Sequence, residues 1–339
     1  MTRINEKVHG APFSALLKEY PFIDSYLAAA GIPVPDTETR PLPEYLGSLE
    51  EEYLEERAID IPTALAGAES YIEQMLEFLG ISGTTNVAEV TLLPGRDKSG
   101  TPEGFDSLTI RRGEIISIVG PTGSGKSRLL ADIEWMAQGD TPTGRNILVN
   151  GEVPDQKRRF SSADKLVAQL SQNMNFVMDL SVEEFIRLHA ESRLAQEPDA
   201  MVTAIIAKAN ELAGESFEAD TPITSLSGGQ SRALMIADTA ILSSSPIVLI
   251  DEIENAGIDR KKALSLLLSE DKIVLMATHD PILALMADSR VVIKNGGIQA
   301  VIETSPAEQG LLGELEQLDN RLQKLRGTLR SGGRLESID

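Results

Sequence analysis

Residues Gly120 to Ser127 read GPTGSGKS, which fits the spacing G-x-x-x-x-G-K-[ST]. Residue types in this order hold a polyphosphate. Gly120, Gly123 and Gly125, with Pro121, Thr122 and Ser124 between them, let backbone N–H groups point inward around a phosphate. A following helix N-terminus adds partial positive charge. Lys126 is spaced to reach the β- and γ-phosphates, and Ser127 to ligate Mg²⁺. Arg128 comes next and opens the run RLLADIEWMA.

Two further groups suit the same chemistry. The apolar run IVLI ends in Asp251 and Glu252. An acid at the C-terminal edge of a parallel strand faces the crevice where phosphates bind. Asp251 is the expected Mg²⁺ holder, and Glu252 the residue that orients and polarises an attacking water. The run MATHD places His279 at another strand end, in reach of a γ-phosphate. The stretch SLSGGQSRALMIAD sets Gly228 and Gly229 at the start of a helix-like run. Glycine costs roughly 1 kcal/mol inside a helix, so a pair there predicts close approach of something to the backbone.

The elements that must position these residues are legible as alternation. GEIISIVG (113–120), RNILVNG (145–151), PIVLIDE (246–252), KIVLMATHD (272–280) and SRVVIKNGG (289–297) read as short strands, several of them separated by helical stretches. That pattern predicts an α/β domain with a mainly parallel core sheet. The first 80 residues differ. They hold all five tyrosines, and 15 Asp/Glu against 5 Lys/Arg, a net charge of −10. Their amphipathic runs predict a small acidic all-α module over 1–80, joined by a linker at 81–86. The α/β domain is expected over 87–304, with a helical subdomain at about 160–235, and an amphipathic helix and tail over 305–339. Leu311, Leu315, Leu318, Leu322, Leu325 and Leu329 alternate spacings of four and three. That is the seam of a short coiled coil or one face of a helix packed on its own domain, and the second reading is preferred.

The chain has 339 residues, no cysteine and a formal net charge of −21. Without cysteine there are no disulfides, thiolate zinc sites or cysteine nucleophiles. The acidic surface argues against nucleic acid as partner, and Lys157–Arg159 reads as a solvated turn. No run of about 18 apolar residues occurs, and the N-terminus lacks a secretory layout. A cytoplasmic location is the expectation.

With Gly120–Ser127, Leu226–Gln230, Asp251–Glu252 and His279 in this order, the chain resembles the ATP-binding cassette (ABC) ATPases over roughly 87–300. The family signature L-S-G-G-Q stands at 226–230. The resemblance implies ATP and Mg²⁺ as ligands and hydrolysis to ADP and phosphate. It maps the glutamine loop to Gln172, a Mg²⁺ and water-chemistry residue, with Gln169 as the alternative, and the aspartate loop to Asp259. It further implies that Ser227, Gly228, Gly229 and Gln230 contact the nucleotide held by another cassette. The partner is then a head-to-tail homodimer mate or a second ABC subunit. Several positions depart from the pattern. No tyrosine or tryptophan occurs in 81–119 to stack on adenine, leaving Phe105 or the N-terminal module to supply a ring. Arg128 replaces the usual threonine and Ile253 the usual proline. The expected role is a soluble ATPase driving a protein partner engaged by residues 1–80 or by the Gln172-loop groove. The alternatives are a transporter subunit at the inner membrane face and an ATP-gated binding protein with slow hydrolysis.

Overall fold

A computed structural model describes residues 2–35, 37–78, 87–155, 159, 165–171, 176–195, 197–252 and 257–335. The chain divides into two compact units, one centred on the N-terminal helices and one on two β-sheets.

The N-terminal unit contains α1 (Thr2–Gly10), α2 (Phe13–Glu19), α3 (Ile23–Ala29), α4 (Leu42–Leu46), α5 (Glu51–Glu56) and α6 (Ile61–Phe78). All of them except α6 are short enough to be marginal alone. They are held by a shared core of Val8, Phe13, Leu16, Ile23, Leu27, Leu42, Leu46, Ala68 and Ile72. The tyrosines are committed to this packing. Tyr45 stacks on Phe13 with ring centroids 5.2 Å apart, and Tyr26 on Tyr71 at 5.5 Å. The hydroxyls of Tyr26, Tyr45 and Tyr53 donate to the carbonyl oxygens of Ala64, Pro33 and Gly31.

The second unit begins with β1 (Glu89–Leu93), β2 (Leu108–Arg111), β3 (Ile115–Val119), α7 (Lys126–Glu134), β4 (Asn146–Val149) and β5 (Val167–Leu170). It continues through α8 (Val182–Ser192) and α9 (Pro198–Leu212), of which residues 187–201 group with the first unit, and then α10 (Gly228–Ile241), β6 (Ile247–Asp251), α11 (Arg260–Ser269) and β7 (Ile273–Ala277). Last come α12 (Pro281–Met286), β8 (Ser289–Lys294), β9 (Gly297–Glu303), α13 (Pro306–Gly310) and α14 (Leu312–Arg330). The main sheet has the order β5-β6-β7-β3-β8-β9, parallel except for β9. A three-stranded antiparallel sheet, β2-β1-β4, makes a second layer. The central strands β3, β6 and β7 are buried on both faces and read as continuous apolar runs, as parallel sheets require. One core, with Ile116, Ile118, Leu129, Ile133, Leu249 and Leu275, fills the space between the sheets and α7. Another, with Val248, Ile250, Val274, Ala233, Ile236 and Leu264, lies under α10 and α11. Val182, Ile186, Ile205, Phe217, Ile223 and Leu234 form a further, helical core. Strand β5, inside the stretch read as a helical subdomain, is an edge strand of the main sheet, paired with β6.

Candidate functional site

Strand order creates the site. In the sheet β6, β7 and β3 are parallel neighbours, with Asp251 in register with Ala277, and Ile118 with Ala277. Their C-terminal ends therefore lie side by side. Each ends in a residue singled out by sequence: Gly120 after β3, Asp251 and Glu252 at β6, His279 beyond β7.

The loop from β3 to α7 curls around Lys126. This lysine is buried, and its ammonium donates to the Gly120 carbonyl at 2.9 Å and lies 3.1 Å from His279 Nε2. Gly125 caps α7 with φ 112°, and a Cβ there would stand 2.8 Å from Gly296 Cα. A Cβ on Gly120 would lie 2.4 Å from the Ile293 carbonyl oxygen. Glycine at both positions follows from close approach of the β8–β9 hairpin. The Gly296 N–H donates to the Ser124 carbonyl at 2.7 Å, and the Lys98 ammonium to that of Gly123 at 3.3 Å. Ser124 Oγ is buried and has no hydrogen-bond partner. A curled loop with a buried ammonium and an orphaned hydroxyl fits a phosphate. Pro121, Thr122, Ser127 and Arg128 are exposed on its rim.

At the neighbouring strand end, His279 Nε2 lies 3.5 Å from Glu252 Oε1. Glu252 has φ +50°, a left-handed conformation that costs a non-glycine residue on the order of 1–3 kcal/mol. Its N–H donates to the Ala277 carbonyl at 3.0 Å. Its own carbonyl accepts from Arg232 at 2.8 Å. Arg232 lies on α10, buried, and also donates to the carbonyls of Ser171 at 2.7 Å and Asp251 at 3.4 Å. Hydrogen bonds from a charged donor contribute about 1.5–3 kcal/mol each, enough to hold the Glu252 backbone. This brace carried no signal in the sequence beyond its position two residues after Gln230.

A second buried brace lies behind the phosphate loop. Arg145, fully buried, donates to Glu103 at 2.6 Å, Asp132 at 2.8 Å and the Gly296 carbonyl at 3.1 Å. It ties α7 to the hairpin that supports Ser124. Burial works to raise the Glu103 pKa. The Arg145 guanidinium and the Ile298 and Gly95 N–H groups outweigh it and hold the carboxyl below its usual range.

The signature residues stand apart from this cluster in their bonding. Ser227 caps α10, accepting from the Gln230 N–H, while the Gln230 side chain accepts from the Ser227 N–H. The other bonds of Gln230 run to the carbonyls of Glu215 and Ser216. Ser227 and Gly228 are exposed, and a Cβ on Gly228 would meet nothing within 4 Å. Gly229 is half-buried. Asp259 is the N-cap of α11, accepting from the Lys262 N–H at 3.1 Å. Gln172 lies outside the described residues; Gln169 is exposed on β5. Phe105 packs partly buried against the main core.

Strand–loop–helix phosphate cradle, strand-end acids and parallel sheet together define a P-loop nucleoside-triphosphatase. The comparisons with known proteins narrow the class. A family model described as "ABC transporter" matches residues 106–255. An uncharacterized ABC transporter ATP-binding protein of Methanocaldococcus jannaschii is 53% identical over 253 residues, covering 75% of this chain and 97% of the relative. The cobalamin import ATP-binding protein BtuD of Halobacterium salinarum is 28% identical over 200 residues, 56% of this chain and 48% of that protein. In fold, the chain is similar to cbiO1 from Clostridium perfringens, part of the ABC transporter complex cbiONQ. The TM-score is 0.51 and the identity 21%, over 71% of this chain and 98% of that one. The chain belongs to the ABC ATPase family: it is an enzyme that binds and hydrolyses ATP.

Proposed function

We propose that this chain is the ATP-binding subunit of an ABC transporter. The observation that carries the proposal is the 53% identity, over 97% of its length, to a relative named as an ABC transporter ATP-binding protein. The segment that would receive a membrane partner follows Gln172, and there Val177 is 92% and Met178 41% exposed. Exposed apolar side chains of this kind suit a protein interface. Among the described residues no helix is long and apolar enough to cross a membrane. The expectation of a soluble ATPase is less well supported. What favours it is the separately packed acidic helical unit.

The mechanism follows from the site. Backbone N–H groups of the 120–125 loop and Lys126 hold the β- and γ-phosphates. Ser127 and Asp251, with Gln172, offer oxygen ligands to Mg²⁺, which when bound neutralises charge between the phosphates. Among the described residues there is no cluster of three or more His, Asp or Glu to hold an ion unaided. Glu252 orients the attacking water and accepts its proton. His279, between Lys126 and Glu252, meets the γ-phosphate. Ser227, Gly228, Gly229 and Gln230, exposed or half-exposed at the α10 N-terminus, close over a nucleotide presented by a second cassette, and Asp259 lines that junction.

Affinity purification of the tagged chain from detergent-solubilised membranes tests the proposal. The expected result is stoichiometric recovery with an integral membrane protein, lost when Val177 and Met178 are replaced by Asp. Recovery with a soluble protein alone, dependent on residues 1–80, would overturn it in favour of the soluble reading.

A further inference from the structure

The leucine repeat forms α14, and its contacts show which side of the helix the chain itself uses. Asp319 accepts from Arg260 at 2.7 Å, Glu316 pairs with Lys261, and α12 packs alongside. The stripe of leucines lies to one side of these anchors. Leu311, Leu318, Leu322 and Leu329 are 49, 56, 52 and 58% exposed, and Leu315 and Leu325 are half-buried. At 3.6 residues per turn the four exposed leucines fall within about 20° of one line along the helix. Packing on the chain's own domain therefore leaves four of the six leucines of the seam exposed.

Charge along the helix selects an occupant. The six leucines take positions d, a, d, a, d, a of a heptad. Glu314 and Arg321 are then g residues, Asp319 and Arg326 e residues. The first half carries Glu314, Glu316 and Asp319; the second carries Arg321, Lys324, Arg326 and Arg330. A parallel pair would set Glu314 beside Asp319 and Arg321 beside Arg326, like against like on both sides of the seam. An antiparallel pair of identical helices layers Leu311 on Leu329, Leu315 on Leu325 and Leu318 on Leu322. It lays each acidic half along the other's basic half. Two like-charge meetings remain, Arg321 and Asp319 each with its own copy, and Asp319 is already paired with Arg260.

We infer that α14 is the seam of an antiparallel two-helix coiled coil joining two copies of this chain without nucleotide. This contact is separate from the nucleotide-driven pairing of cassettes proposed above. Its consequence is that two copies stay together between rounds of hydrolysis.

Sedimentation velocity of the full chain, free of nucleotide and Mg²⁺, over a concentration series tests the inference. A reversible monomer–dimer equilibrium is expected. Leu318→Glu combined with Leu322→Glu should weaken it roughly a hundredfold or more, with an unchanged far-UV circular dichroism spectrum. Orientation is read by disulfide formation, which the absence of native cysteine makes clean. Leu318→Cys and Leu322→Cys chains, mixed and oxidised, should link to each other more than to themselves. A chain monomeric at every concentration up to its solubility limit would overturn the inference. So would a double variant that dimerises as tightly as the native chain, or preferential self-linking. A dimer that appears only with Mg·ATP would overturn this seam and leave the cassette pairing standing.

Discussion

At Glu252 a left-handed backbone and a buried arginine meet. The positive φ of 50° turns the chain immediately after β6, so that the carboxylate lies 3.5 Å from His279 and not in line with the strand. Arg232 holds the Glu252 carbonyl, and through Ser171 it also holds the strand end preceding Gln172. Arg232 thus joins the signature helix to Glu252, the proposed water-orienting acid, as a positioning residue. Arg232→Met is expected to lower kcat by roughly ten- to hundredfold, the loss of one charge-assisted hydrogen bond or more. KM for ATP should stay close to the native value, because none of the Arg232 hydrogen bonds above goes to the phosphate loop. Arg232→Lys should restore part of kcat. Steady-state kinetics decide the matter, and a variant altered in KM alone would show that the brace serves binding and not the chemical step.

Among the elements, α13 and α6 allow separate tests. Helix α13 is tied to β8 by Glu308, which accepts from Arg290 at 2.7 Å and closes a capping box with Ser305. These bonds lower the Glu308 pKa from 4.5 to about 2, the Arg290 bond most of all. A carboxyl depressed on folding stabilises fully above its unfolded value and loses that contribution as pH falls through its folded value. The urea midpoint should therefore fall between about pH 4.5 and pH 2. Glu308→Gln should flatten the curve across that window, and an unchanged slope would count against the assignment. In α6, a Cβ on Gly67 would stand 2.0 Å from the Tyr26 hydroxyl oxygen. Tyr26 cannot step aside, being stacked on Tyr71 and bonded to Ala64. Overpacking costs roughly 1–3 kcal/mol against ~1 kcal/mol gained in helix propensity, so Gly67→Ala should lower stability. All five tyrosines lie in this unit. Their near-ultraviolet dichroism should therefore melt earlier in the variant. Legibility at this scale followed burial. Strands β3, β6, β7 and β8, continuous or nearly continuous apolar runs, were read from sequence, and so was the half-exposed β4, within RNILVNG. Strands β1, β2 and β5, short and half-exposed, were not, because alternation over four or five residues is weak against the surrounding loops; β9, seven residues long, has no clean apolar alternation to read.

For the whole molecule, the expected working unit is a pair. Glu252→Gln keeps the phosphate cradle and removes the proposed proton acceptor, so ATP should bind and persist. Sedimentation of this variant with Mg·ATP should reveal a dimer that ADP does not support; a monomer at saturating nucleotide would refute head-to-tail closure. The phosphate loop, the signature and the strand-end acids were each legible because their function needs contiguous residues. A loop of backbone N–H groups around an anion must be built from neighbours in the chain, and so must a helix cap such as Ser227–Gln230. Tertiary structure decided what lies between them. His279 meets Lys126 across 153 positions only because β7 falls between β6 and β3. Arg145 and Arg232 act through carbonyls and carboxylates supplied by several separate segments, and no spacing encodes them. The leucine repeat predicted an apolar seam. Which side of α14 the domain covers was fixed by Arg260 and Lys261 gripping its acidic flank, which leaves Leu311, Leu318, Leu322 and Leu329 exposed.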